Sequence, residues 1–559
     1  MVSITEKLSL AIALHQKNSL REAEMMYREV LYEDPENADA FHLIGLIEHQ
    51  RGNHRLAMKA VDQAILFNSN IAMYHVNRVR ILRALGFGFE AVNAAHFALS
   101  LDTDNAETYC ELAGALLDIE NYTEALIAAQ QGYQLAPDMI EVRKNLAIAH
   151  FGEGQLNQNN KKYDIAENHY RRAVELVPDM VEAIVNLGNV LRSLSRLEEA
   201  QTCYQRAVAL NSDIPEVYVN MGVVTQEQGD TKTAIEFYDI ALDQDPENAE
   251  IRRNRAQALL KIGQFQEGWK EFEWRWKTKH FDRIRRTWQS PQWKGQNLRG
   301  KVILVHAEQG FGDSIQCARY LPLLAKISSK VVVECPEVLM GLISRVEGVA
   351  QTIKLGEEFP AHDYNIPMMS LPGAFNTNFD NFPNKIPYFI ISEAEQHKWQ
   401  ERIIVNDDRP CLGLVWRGSD RHERNEWRSP GLKTFENLVK MGNYQWISLQ
   451  KDFEEFDLSR FKFNENLLAL GHQFENFVDT ASTIINLDLV ISPDTAVAHL
   501  AGALGKPIWL ILPYANEWRW FENRTDSPWY PTLKIFRQHV RDDWSGPVAD
   551  IAAELKRHF

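Results

Sequence analysis

Cysteine is scarce in this chain. Five are spread over 559 residues (Cys110, Cys203, Cys317, Cys335 and Cys411), an odd number without a C-x-x-C pair. That excludes a disulfide framework and the ligand spacing of a structural zinc site. Long apolar runs are missing as well. With a 45% hydrophobic fraction, ordinary for a globular chain, no stretch reaches the ~20 apolar residues of a membrane-crossing helix, so no membrane span is expected. Positive charge is in short supply, with 60 Lys and Arg against 76 Asp and Glu and a net charge of −16. Binding DNA or RNA needs basic surface that displaces counterions, so nucleic acid is not an expected partner; a local basic pocket for an anionic ligand stays open. The start, Met1-Val2-Ser3-Ile4-Thr5-Glu6-Lys7, lacks the basic, apolar and small-residue segments of a secretory signal. The expected location is the cytoplasm.

What the chain has in plenty is self-similarity. Pro35, Ser69, Thr103, Pro137, Pro178, Ser212 and Pro246 follow one another at 34 residues, except for one step that is seven longer. The extra residues fit the polar stretch Asn157 to Lys162, which reads as an insertion in a turn. Ala23, Ala57, Ala91, Ala125, Ala166, Ala200 and Ala234 keep the same register. Gly45, Gly188 and Gly222 stand twelve residues before their alanines, and Tyr27, Tyr170, Tyr204 and Tyr238 four after theirs. This pattern resembles the tetratricopeptide repeat (TPR), a helical hairpin of about 34 residues. An eighth, degenerate repeat runs from Asn248 to about Lys277, with Gly268 at the alanine position. Trp269, Phe272, Trp274 and Trp276 crowd its second helix, as in a cap or a docking face. Such hairpins cannot bury their apolar faces alone and stack into a solenoid with a concave surface. The expected occupant is a protein; a bare scaffold or oligomerisation arm is the other reading.

The grammar changes after about His280. Trp288, Pro291 and Trp293 lie in a polar connector, and the strand Lys301–His306 follows, then a loop from Ala307 to Asp313 and a helix from Ser314 towards Leu324. A second strand starts at Lys330. This is a βαβ unit with Gly310 and Gly312 in its first turn. Glycines there let backbone approach a ligand, and a helix start beyond them offers free N–H groups and a positive dipole end. Asp313 has two open roles, an N-cap or a carboxylate base facing a cleft. Glu308 and Gln309 would line the same rim.

A second such junction comes later. Leu487–Ser492 reads as a strand, Pro493-Asp494-Thr495 as a turn, and Ala496–Leu504 as a helix ended by Gly505, with Pro507 leading into the strand Ile508–Leu512. Asp494, Thr495 and, one turn on, His499 gather where α/β folds bind phosphate or ribose; His499 as a satisfied core residue is the alternative. Between the two junctions, Cys411–Trp416 reads as the first strand of another half, ending in Arg417-Gly418-Ser419. The basic loop Arg421 to Arg428 follows, then a helix around Thr434 to Met441 and a strand ending at Gln450. Arg in that loop would either bind a phosphate bidentately or be merely solvated.

From about Leu298 to Phe559 the chain resembles the C-terminal domain of bacterial TPR-fused GT-B glycosyltransferases and, more distantly, the heptosyltransferases. The segments that carry this are His306-Ala307-Glu308-Gln309-Gly310-Phe311-Gly312-Asp313, Gly413–Gly418, Asp494–Gly502, Trp518-Arg519-Trp520 and Ser527-Pro528-Trp529-Tyr530-Pro531. The arrangement is also similar to that of protein O-glycosyltransferases, including those that modify flagellin. The implied fold is α plus α/β: a TPR α-solenoid (1–280), then two Rossmann-like GT-B halves, 281–395 and a donor-binding 396–559. The resemblance implies Asp313 as catalytic base, with His306 in reserve. It implies Gly310, Gly312, Arg417, Gly418, Arg428, Gln450, Asp494, Thr495, His499 and Lys506 around a nucleotide-sugar donor. Glu308, Gln309, Trp518 and Arg519 would meet sugar or acceptor, unless the two tryptophans of Trp518-Arg519-Trp520 are core. No D-x-D motif stands at a strand end, so no metal or other cofactor is expected, only the nucleotide-sugar co-substrate.

The reading is therefore a metal-independent transferase moving sugar, from a donor such as CMP-nonulosonic acid or a UDP-sugar, to Ser or Thr of a protein such as flagellin. A transferase acting on a glycan or lipid-linked acceptor, and an interaction protein with an inactive transferase domain, are the alternatives.

Overall fold

A computed structural model of the chain describes residues 3–403, 409–420, 425–451 and 467–559. Contacts divide the chain into two compact units, Met1–Val217 and Tyr218–Phe559. The change from helix to sheet comes later, between Phe281 and Val302. The last helical hairpins thus belong to the unit that holds the sheets.

The first unit stacks hairpins of a 13-residue and a 14-residue helix, such as Ala38–Gln50 with His54–Phe67 and Val181–Ser193 with Leu197–Leu210. One first helix is different: Ile140–Asn159 has 20 residues. The seven extra residues, expected in a turn around Asn157 to Lys162, lengthen this helix instead. Seven residues are close to two turns at about 3.6 residues per turn, so the helix grows without rotating its buried face. Gly154 then precedes Ala166 by twelve residues, the relation Gly188 has to Ala200. A Cβ on Gly154 would come within 2.6 Å of the Tyr170 ring, and one on Gly188 within 2.6 Å of the Tyr204 ring. Only glycine allows that approach. The register alanines from Ala23 to Ala200 are fully buried for the same reason. The turn after each first helix contains one residue with left-handed backbone: Asn18, Gly52, Gly86, Glu120, Lys161 and Ser195, with φ between 58° and 80°.

The second unit opens with the hairpin helices Thr231–Gln244, Ala249–Lys261 and Phe265–Phe272, the last only 8 residues long. Its aromatic crowd is a core contact. Trp269 donates its indole N–H to the Thr377 carbonyl at 2.9 Å, and Phe265 meets Phe379, Phe382 and Phe521 edge-on. Trp274 instead lies under Arg252 and Lys277.

Two parallel sheets follow. The first contains β1 (Val302–His306), β2 (Lys330–Cys335), β3 (Val349–Lys354) and β4 (Tyr364–Pro367) in the order β3-β2-β1-β4. The second contains β5 (Cys411–Leu414), β6 (Gln445–Ser448), β7 (Leu467–Ala469), β8 (Leu489–Ser492), β9 (Ile508–Leu512) and β10 (Leu533–Arg537) in the order β10-β9-β8-β5-β6-β7. Every strand pair is parallel. Parallel strands are covered on both faces, and β8 and β9 are buried along their whole length. No helix of the described residues is long and apolar enough to cross a membrane.

Candidate functional site

Two strand-to-helix junctions build the site. After β1 the chain runs to Gly310, an extended N-cap (φ −65°, ψ 166°) for the helix Phe311–Cys317. The helix starts three residues before the expected Ser314. Asp313 therefore sits in its first turn instead of at the N-cap, and its Oδ2 accepts from the Gly310 N–H at 2.9 Å. After β8, Pro493 to Thr495 lead into the helix Ala496–Ala503, which stops at Gly505 with φ +73°. Thr495 is the N-cap residue but makes no side-chain cap; its hydroxyl lies 2.9 Å from Ser492 Oγ.

The two short helices touch. A Cβ on Gly312 would come within 2.8 Å of His499 Cδ2 and 3.6 Å of Ala496 Cα, so glycine is what permits the contact. Arg519 then ties the junctions together. Its Nη2 donates to Asp313 Oδ1 and its Nε to Gln316 Oε1 at 2.8 Å. Asp494 lies 3.5 Å from His499 Nε2. Burial alone would raise the Asp494 carboxyl, but the His499 imidazole and the Arg519 charge hold it well below the usual carboxylate range. His499 Nδ1 is 2.9 Å from the Tyr530 hydroxyl, and its ring stacks on Trp520. The result is one buried chain of polar groups: Gly310 N–H, Asp313, Arg519 and, beside it, Asp494, His499 and Tyr530.

Other expected residues lie around or away from this cluster. His306 is stacked on Trp288 with ring centroids 4.4 Å apart, and its Nε2 has no hydrogen-bond partner among the described residues. Burial, with Arg286 and Arg275 nearby, lowers its pKa to about 3. Glu308 is not on a rim. It is buried, 3.0 Å from Arg275 Nη2, and accepts from Met369 N–H at 3.2 Å. Desolvation raises its carboxyl to about 7 despite the Arg275 charge. Gln309 is half-buried. Gln450 accepts from the N–H groups of Trp416 and Arg417 at 3.3 and 3.1 Å, which fixes the turn after β5. Gly418 donates to Ser429 Oγ at 3.0 Å, and Arg428 lies so close that a Cβ on Gly418 would be 2.6 Å from its Nη2. Arg417 is half exposed and bonded to Asp420. Arg421 to Arg424 lie outside the described residues. Lys506 is at the opposite edge of the sheet, because the helix from Thr495 runs back before β9 begins; its Nζ donates to the Ile485 carbonyl at 3.0 Å. Trp518 is buried edge-on against Trp269 and Trp529, so the core role fits it.

Some participants carry no local signal in the sequence. Arg319 is buried, donates to the Trp529 carbonyl at 2.6 Å and lies 4.6 Å from the Tyr530 ring centroid. Gln316 is recognisable only through its bond to Arg519. Tyr530 stands in the segment Ser527–Pro531, whose composition gives no role to any one residue. Among the described residues, no three His, Cys, Asp or Glu side chains converge as a metal-holding group.

Comparison with known proteins sharpens the helical part. Residues 188–229 match the TPR repeat family and residues 226–268 the tetratricopeptide repeat family. Residues 188–268 are tetratricopeptide repeats. The protein FlbA of Caulobacter vibrioides is 24% identical over 450 residues, 69% of this chain and 74% of FlbA. The protein O-mannosyl-transferase TMTC1 of Mus musculus is 27% identical over 148 residues, 25% of this chain and 15% of that protein. Human TMTC1 is 25% identical over 168 residues, 30% of this chain and 19% of its own length. The chain thus spans less than a fifth of either TMTC1. Among solved structures, YrrB, a TPR protein with an unusual peptide-binding site, aligns at 22% identity and a TM-score of 0.30 over 35% of this chain and 96% of its own.

Proposed function

We propose that the chain is a glycosyltransferase that moves sugar from a nucleotide-activated donor to Ser or Thr hydroxyls of a protein held by its TPR hairpins. The observation that carries this is the meeting of the β1 and β8 junctions, with Asp313, Arg519, Asp494 and His499 in one buried cluster. Strand order supports a GT-B reading. Numbered along the chain, the second sheet runs 3-2-1-4-5-6 and the first 3-2-1-4, the order of dinucleotide-binding folds. Ligands of such sheets sit where the order reverses, here between the ends of β5 and β8. Those ends carry Arg417 and Gly418 on one side and Asp494 and Thr495 on the other. The printed name of TMTC1, a protein O-mannosyl-transferase, supports a protein acceptor, although the match is partial. Flagellin is the acceptor class that the architectural resemblance favours.

In this reading the donor's phosphates lie at the start of the helix Ala496–Ala503, facing its N–H groups and dipole, with Arg417 or Arg428 as counter-charge. The acceptor oxygen forms a bond to the anomeric carbon, the bond from that carbon to the phosphate oxygen breaks, and the hydroxyl proton passes to Asp313. Each Asp313 oxygen has one hydrogen bond and a lone pair to spare. Arg519 orients the carboxylate, and the phosphate leaves without a required metal. The test is transfer from CMP-, UDP-, GDP- and ADP-sugars to flagellin, read by intact mass. A mass shift lost in Asp313→Asn is the expected result. Loss of transfer in EDTA that Mg²⁺ or Mn²⁺ restores would sink the metal-independent mechanism.

A further inference from the structure

Lys261 ends the helix Ala249–Lys261, is 3% exposed, and makes no hydrogen bond or ion pair with any described residue. Burial lowers its pKa against the pull of Glu522 and Glu517, and Glu522 already accepts from Thr231. A recessed ammonium without a partner is costly, and here it lines a pocket open to solvent with about 560 Å³ of empty space. Asn254 and Gln257 line the same pocket from the same helix. The far wall is Ala515 to Trp518, and the next residue, Arg519, holds Asp313. Glu517 in that wall also has a carboxylate without a hydrogen bond or ion pair among the described residues.

We propose that this pocket is an acceptor-peptide subsite that reads main chain. One unpaired cation, one unpaired carboxylate and two free primary amides make a surface near neutral that both donates and accepts. An extended peptide is neutral and does the same at every residue: its carbonyls suit Lys261 and its N–H groups suit Glu517. Asn254, Gln257 and Lys261 stand at i, i+3 and i+7, one face of the helix. They span about 10 Å at 1.5 Å per residue, the length of about three residues of extended chain at ~3.3 Å each. A segment lying there would pass directly beside the residue that holds the proposed base. This rests on the transferase reading for its purpose but not for its binding.

The experiment is a saturation-transfer NMR titration of the full chain with the blocked peptide Ac-(Gly-Ser)3-NH2 and, separately, with maltotriose. Lys261→Met and the double variant Asn254→Ala/Gln257→Ala are each expected to weaken the peptide at least fivefold with an unchanged unfolding midpoint. Donor-nucleotide binding should stay at the wild-type level. The double variant alters only half-buried positions, so it decides the matter if Lys261→Met unfolds. Peptide affinity unchanged in the double variant, no saturation of the peptide by wild type, or Lys261-dependent saturation of maltotriose would each overturn the subsite. Lys261-dependent peptide binding without any donor binding would keep the subsite and remove the transferase.

Discussion

The β1 and β8 junctions have the same architecture, a buried parallel strand turning into a short helix, yet they bury their charge differently. At β1 the polar residues His306 and Glu308 are packed behind the turn, one against Trp288 and one against Arg275. Only Asp313, on the helix, reaches the cluster. At β8 the turn itself supplies Asp494, and His499 follows on the same face. The first junction holds one group in place with buried scaffolding, whereas the second presents a whole polar edge. This is the division expected of a base and a donor site.

The strongest way to break the comparison is Asp313→Asn, which keeps the shape and removes the base. Transfer is expected to fall by about 10²- to 10⁴-fold with donor affinity retained, whereas Asp494→Asn should weaken donor binding more than turnover; steady-state kinetics separates the two. Arg519→Met would leave Asp313 and Asp494 buried without their cation. Denaturant unfolding should show a loss of about 3–5 kcal/mol. Gly312→Ala forces a methyl against His499, with an expected cost of about 1–3 kcal/mol. Combining it with His499→Ala should recover part of that loss, because the clash is with the imidazole.

Buried charge behind β1 gives a pH test with opposing signs. His306 takes a proton near 6.5 when unfolded but only near 3 in the native state. In that window the unfolded chain binds more protons, and stability drops as pH falls. Glu308 titrates near 7 in place of 4.5, so there the native state binds more protons and stability drops as pH rises from 4.5 to 7. Each slope is at most about 1.4 kcal/mol per pH unit, and they oppose each other between 4.5 and 6.5. Thermal unfolding against pH should therefore show a steeper acid-side loss in Glu308→Gln and a loss on raising pH through 4.5 to 7 in His306→Gln. The smallest effect expected is in the repeats. Glu120→Gly and Lys161→Gly should each stabilise by up to about 1 kcal/mol, since both positions have left-handed backbone.

The repeats were legible because each hairpin writes the same small and aromatic residues at one period, and a repeated signal survives a local misreading. The seven-residue insertion was misplaced because a polar stretch reads as a turn, although seven residues also make two helical turns. The β9 strand runs over the expected residues, Ile508 to Leu512, since its apolar run is bounded by a proline. The Asp313–Arg519 contact joins residues 206 apart, and no local pattern reports such a pairing. Lys506 was misassigned for a different reason: a helix leaving the carboxyl edge of a sheet must return to the other edge before the next strand, which carries its last residues away from the site.

The most direct measurement is calorimetric titration of the full chain with CMP-, UDP-, GDP- and ADP-sugars, repeated on Asp494→Ala/His499→Ala. The account predicts selective binding of one nucleotide class to wild type, lost in the double variant while Lys261→Met retains it. No binding by wild type across the panel, or equal binding by the double variant, would contradict a donor site at the β8 junction and leave the TPR hairpins as the functional part of the chain.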